Sequence, residues 1–142
     1  MLRFDMTVHA LPKRELSTRT IEIAGRQVEV IDVASNTLTD QLPRTFEAAA
    51  AALELLPLLY FEPDGSFVWG KGADQERWQV DGLLMDGGQQ LQFVGLRGTC
   101  PNSALDQLLE AIAGPDARLL FQQTREGVLL SADEFRRFAE IP

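Results

Sequence analysis

The chain has 142 residues, 45% of them hydrophobic and 24% charged, which is the size and composition of one globular domain and excludes wholesale disorder. A formal net charge of −8 gives a surface that repels phosphate backbones and anionic head groups and suits solubility or a basic partner. A single cysteine, Cys100, and a single histidine, His9, exclude an intrachain disulfide and leave too few groups for a zinc cluster or a Ser–His or Cys–His pair.

No run approaches the ~18 apolar residues of a membrane span. The start, Met1-Leu-Arg-Phe-Asp-Met6, lacks the apolar core of a signal peptide, so a cytoplasmic location is expected. All basic residues except Lys13 and Lys71 are arginine, a bias that reads as base composition of the source rather than as a binding site.

In chain order, residues 1–18 carry Pro12 and the run Lys13-Arg14-Glu15 and are expected to form a loose N-terminal arm. A single α+β domain is expected over 19–142. Ile21 and Ile23, then Val28 and Val30, alternate with polar residues on either side of Gly25-Arg26, which predicts a hairpin. A polar connection follows over 34–42. Pro43 opens a helix with Phe46, Ala49, Ala50, Leu53 and Leu56 on one stripe, and Pro57 stops it.

Leu58–Phe61 and Phe67–Trp69 predict two short strands around the turn Pro63-Asp64-Gly65, where Pro fixes φ and Gly accepts a positive φ. After the polar loop 70–76, Trp78, Val80, Gly82 and Leu84 share one side of a strand. Asp86-Gly87-Gly88 turns the chain into a strand bearing Leu91, Phe93 and Gly95. Ser103 is a candidate cap, with Asp106 as its partner, for a helix with the stripe Leu105, Leu108, Leu109 and Ile112 that ends at Gly114-Pro115-Asp116. Leu119–Phe121 and Val128–Leu130 flank the turn Arg125-Glu126-Gly127, and Ser131 with Glu134 makes a capping box for a last helix carrying Phe135, Phe138 and Ala139. The order ββ–α–ββ–ββ–α–ββ–α predicts a largely antiparallel sheet of hairpins with about three helices packed on it.

The segment Asp81 to Thr99 resembles the hairpin of restriction-endonuclease-like nucleases, in which one strand ends near an Asp and the next carries Glu-x-Lys about a dozen residues later. Segments 43–56, 66–97, 103–113 and 118–124 fill the helix–three strands–helix–strand order of that core, about half of the chain. The family's chemistry needs two carboxylates on a divalent cation and a lysine that positions the attacking water. Gly95 stands at the second carboxylate's place and Arg97 at the lysine's. Asp81 alone would hold magnesium poorly, a helix glutamate (Glu47 or Glu54) would not replace the missing ligand, and Arg97 stays protonated but can clamp a phosphate. The resemblance therefore implies a degenerate domain that has lost its metal site. Two registers are possible. A two-residue turn puts Trp78, Val80, Leu84, Leu91 and Phe93 on one face. A three-residue turn with a glycine bulge brings Asp81 alongside Phe93 and Gly95. Asp81 opposite Val94 or Gln92 would remove the resemblance.

Trp69 and Trp78 are candidate walls of a ligand groove, with core packing as the ordinary alternative. Trp78 and Arg97 are placed to meet across the hairpin as a cation–π pair. Asp64, Asp86 and Asp116 read as turn residues. The glycines make no phosphate loop. Cys100, near a helix start, is open to a lowered pKa. The candidate binding residues are thus Trp69, Trp78, Asp81 and Arg97, with no catalytic residue, no metal ligand and no cofactor. The leading expectation is a non-catalytic binding or protein-interaction module with a protein partner or self-association as a homodimer, and with neither membrane nor nucleic acid as its target. Small acidic secretion chaperones are similar at the level of alternating helices and hairpins. The alternatives are the degenerate nuclease-like domain, with a basic groove around Arg97, Arg77 and Lys71 for nucleic acid, and a small-molecule binder with a pocket between the helices and the Trp-bearing strands.

Overall fold

Apolar residues at period two, once paired, make a single seven-stranded sheet in this computed structural model, which describes residues 1–73 and 76–142. The strands are β1 (Leu2–Ala10), β4 (Tyr60–Phe61), β5 (Ser66–Lys71), β6 (Trp78–Asp86), β7 (Leu91–Cys100), β8 (Leu119–Gln123) and β9 (Leu129–Leu130). They lie in the order β4-β5-β6-β7-β1-β8-β9, and all neighbours are antiparallel. The predicted hairpin forms as β2 (Thr18–Ile23) and β3 (Arg26–Ile31), a separate two-stranded unit. The helices are α1 (Phe46–Glu54), α2 (Asn102–Ala113) and α3 (Ala132–Ala139). The expected α+β class, a largely antiparallel sheet carrying three helices, is what the chain adopts.

The expected loose arm over 1–18 is not observed. Residues 2–10 form β1, which runs between β7 and β8 and pairs with both, Met6 lying opposite Leu96 on one side and Gln123 on the other. Leu2, Phe4, Met6 and Val8 point to one face and are all buried. Their burial outweighs the polar residues between them, which point to the other face. The chain ends are tied together, because Ile141 N–H donates to the Met1 carbonyl at 3.0 Å and the terminal amine reaches Glu140 Oε1 at 3.3 Å.

The three helices pack on one face of the sheet. Phe135 of α3 stacks on Phe121 of β8, ring centroids 4.8 Å apart, and meets Phe4 of β1 edge-on at 6.0 Å. From α2, Leu105, Leu108 and Ile112 are buried with Val94 and Leu96 of β7 and Val80 and Leu84 of β6 in one core. Hairpin β2–β3 is fastened to α3: Arg26 donates to the Phe138 carbonyl and lies over its ring, and Arg137 donates to the Gln27 carbonyl, both hydrogen bonds being 2.9 Å.

Helix starts follow capping chemistry. Pro43 lies outside α1, because Thr45 is the cap and accepts from Ala48 N–H at 3.1 Å. Ser103 does not cap α2, whose first residue is already Asn102 with Pro101 before it. Asn102 and Asp106 are engaged instead by Arg136 of α3, at 2.8 and 2.5 Å. Ser131 caps α3 as expected, accepting from Glu134 N–H at 3.3 Å. The Glu134 carboxylate takes Arg137 rather than closing the box.

Neither expected turn joins β6 to β7. Asp81 lies opposite Arg97, Leu83 opposite Gly95 and Met85 opposite Phe93, after which a bulge shifts the register so that Asp86 meets Leu91. The loop between Asp86 and Leu91 closes with a Gly87 N–H to Gln90 carbonyl bond of 2.8 Å. The bulge puts Leu91 and Val94, rather than Leu91 and Phe93, on the helix-covered face, where both are fully buried. Phe93 is left on the opposite face.

Candidate functional site

The face turned away from the helices is the candidate site, and strand register states which residues it shows. Asp81, Arg97 and Asp5 form one row across β6, β7 and β1, extended by Val68 of β5. The next row is Ser66, Leu83, Gly95, Thr7 and Gln122. Met85 and Phe93 lie opposite one another in the row beyond it. Val68, Leu83 and Met85 are 40%, 41% and 38% exposed. They form a diagonal apolar stripe that meets Phe93. Tyr60, paired with Val68 at the sheet edge, is exposed as well.

This face is open over β5, β6, β7 and the first half of β1, where Arg3 and Asp5 are exposed. Towards β8 and β9, Leu120 and Leu129 are buried yet lie outside the main core. His9 is buried there against the Phe93 ring, at 5.7 Å, and its Nε2 is 2.9 Å from Gln122 Oε1. Burial lowers the His9 pKa below the ordinary value, and the Gln122 hydrogen bond opposes the shift.

The four predicted binding residues do not come together. Asp81 and Arg97 are cross-strand neighbours on the open face. Trp69 and Trp78 point to the helix-covered face, 5% and 9% exposed, and meet each other edge-on with centroids 5.1 Å apart. The Trp69 indole N–H donates to the Pro57 carbonyl at 2.8 Å, which satisfies the polar end of an otherwise apolar ring. A cavity of roughly 450 Å³ opens beside the pair, lined also by Leu58, Lys71 and Gln107. Because side chains alternate, Trp78 and Arg97 sit on opposite faces, so the expected cation–π pair between them does not form. Arg26 over Phe138 is such a contact in the fold.

In the charged row, Asp81 accepts from Gln79 Nε2 at 3.1 Å. Arg97 has a carboxylate residue on each flank, but no ion pair within 4.0 Å or side-chain hydrogen bond of Arg97 occurs among the described residues. A Cβ built on Gly95 would meet nothing within 4 Å, so a side chain at this position would extend into open space. Among the described residues, no group of three or more His, Cys, Asp or Glu is placed to hold a metal ion.

Asp64 and Asp86 are turn residues. Asp64 Oδ1 accepts from Ser66 N–H at 2.9 Å and its hydroxyl at 2.6 Å, which lowers the Asp64 pKa, and Asp86 Oδ1 accepts from Gly88 N–H at 3.1 Å. Cys100 does not have the lowered pKa expected of a thiol near a helix start. The thiol is fully buried, and loss of hydration pushes it up to about 11, with Arg136 opposing. It is a core residue.

Sequence reasoning missed Arg3 and Arg125. The fold brings both to the Arg97 end of the open face, in place of the expected Arg77 and Lys71. Lys71 pairs with Trp78 at the far end of β5. No local pattern marks Arg3 and Arg125, because they come from opposite ends of the chain. No protein-family model, curated protein or solved structure matches this chain.

Proposed function

We propose that this chain is a non-catalytic protein-interaction module that binds through the open β5–β6–β7 face of its sheet, with a second copy of itself as partner. The observation that carries the reading is the stripe Val68, Leu83 and Met85, three exposed apolar residues in adjoining rows on the face without helices. Covering such a stripe recovers about 25 cal/mol for each Å² of apolar surface removed from water. The charged row beside it is self-complementary. Under a two-fold axis, Arg97 of each copy meets a carboxylate, Asp81 or Asp5, of the other. The edges are less suited to pairing, since β4 and β9 have two residues each. A cytoplasmic setting, which keeps a lone cysteine reduced, belongs to this proposal.

The test is mass by light scattering across protein concentration. Native protein is expected to move from 15.8 kDa towards twice that mass, and Leu83→Asp or Met85→Asp to stay monomeric. A native chain that stays monomeric at every concentration contradicts the reading.

A second reading has one observation in its favour. Asp81, Gly95 and Arg97 share one face of adjacent antiparallel strands, with Asp81 opposite Arg97 rather than alongside Phe93 and Gly95, so the shared face supports the restriction-endonuclease-like resemblance and the register does not. On this reading the domain is a degenerate relative whose metal site is lost at Gly95. Gly95→Glu would then supply a second carboxylate diagonal to Asp81, and magnesium is expected to raise the unfolding temperature of that variant alone. No magnesium effect on the variant counts against the resemblance.

A further inference from the structure

We propose that the cleft where the start of β1, the end of β7 and the β8–β9 turn meet is a binding site for a small phosphorylated molecule, held by Arg3, Arg97 and Arg125. The cleft has a volume of roughly 450 Å³ and is lined by these three arginines together with Asp5, Thr99, Gln123 and Glu126, a size that suits a small ligand.

Register explains the convergence. Arg3 lies opposite Thr99 and Asp5 opposite Arg97, so Arg3 and Arg97 are diagonal neighbours on one face, about 7–8 Å apart at the backbone and within reach of each other's long side chains. Thr124 N–H donates to the Asp5 carbonyl at 2.9 Å, which brings Arg125, the next residue, to the same rim.

Two features point to an anion. First, Arg19, Arg136 and Arg137 are ion-paired, and Arg14 and Arg26 donate to oxygens of the chain. Arg3, Arg97 and Arg125, like Arg44 and Arg118, make no ion pair or side-chain hydrogen bond among the described residues, and these three line one cleft. Second, the sign of the charge is locally reversed. Three guanidinium groups against Asp5 and Glu126 leave a net +1 at the cleft, in a chain whose total is −8. Planar guanidinium forks match phosphate oxygens in bidentate geometry, and the two carboxylates are acceptors for hydroxyl groups on the same ligand. A nucleic acid would instead need an extended basic track, which the overall charge opposes.

The cleft shares Arg97 and Asp5 with the charged row of the proposed self-association surface, so Arg125, which belongs to neither that row nor the apolar stripe, is the residue that separates the two. The experiment is calorimetric titration of the full chain with inorganic phosphate and a hexose phosphate, against sodium chloride at equal ionic strength. Saturable binding is expected, weakened at least about tenfold by Arg97→Gln or Arg125→Gln, the effect of losing one charge-assisted hydrogen bond. Arg19→Gln, on β2, is expected to leave it unchanged, as is Leu83→Asp. Circular dichroism confirms that each variant is folded. Absence of saturable binding, or an equal loss in Arg19→Gln, overturns the proposal. Salt-sensitive binding of a DNA oligonucleotide without any response to the small phosphates also overturns it, in favour of a nucleic-acid surface.

Discussion

Two glycines on neighbouring strands show how differently the faces of this sheet are used. Gly82 lies on the helix-covered face under Phe67, and a Cβ built there would fall 2.0 Å from the phenyl ring; on the other face, one strand away, the same construction at Gly95 meets nothing within 4 Å. The covered face is filled, so each inward atom is set by its neighbours. The open face over β5–β7 is ordered by register alone, and its side chains are free to meet something else. Both faces belong to the same strands, so an apolar residue's role depends on which side of the pleat it falls. Phe67 is core, while Val68, the next residue, is surface.

The largest expected effect is on the covered face. Phe135→Ala removes a ring that stacks on Phe121 and edges Phe4. It should cost about 3–5 kcal/mol in chemical denaturation, and a cost under 1 kcal/mol would mean that α3 does not close the core. Gly82→Ala comes next. The Cβ must displace the buried Phe67 ring, at a cost of about 1–3 kcal/mol; an unchanged midpoint would show that Phe67 does not lie over Gly82.

His9 gives a smaller, pH-dependent contrast at the border between the covered and open parts of the second face. Its folded pKa lies below the ordinary 6.5, so the unfolded chain takes up the proton first as pH falls. The stability it contributes is present above about 6.5 and is lost as pH drops below that value. The unfolding temperature should therefore fall between pH 7 and pH 5, less steeply in His9→Gln. Identical profiles for the two proteins would remove His9 from the account. The smallest effect is at Gly95. Gly95→Ala has room for its methyl group and should stay within about 0.5 kcal/mol of the native protein, so a loss comparable to that of Gly82→Ala would abolish the distinction between the faces.

Much of the element order is legible in the sequence, because hairpins and helices carry local signals: the alternation at Trp78, Val80 and Leu84, the Ser131 cap and the helical stripe Leu105, Leu108 and Ile112. What is not legible depends on partners distant in the chain. β1 carries period-two alternation at Leu2, Phe4, Met6 and Val8, but its partners begin some eighty residues later, and no local turn links it to them. The bulge between Met85 and Asp86 is a detail of one turn, yet it decides which face receives Phe93. Of the candidate site, Asp81 and Arg97 stand out as residues in the sequence, but their position opposite one another does not, because it depends on the register set at the Met85/Asp86 bulge. Their separation from Trp69 and Trp78 follows from side-chain alternation, and the approach of Arg3 and Arg125 follows from the sheet order, which only the fold supplies.

Two methionines on opposite faces offer the most direct measurement. Met6 is 2% exposed on the covered face and Met85 is 38% exposed on the open one, and peroxide oxidation reads the access of each sulfur. In dilute native protein Met85 should oxidise quickly and Met6 slowly, and at high protein concentration Met85 alone should become protected as a second copy covers it. Equal rates for the two, or a Met85 rate that is the same at every protein concentration, would contradict the claim that one face is filled and the other waits for a partner.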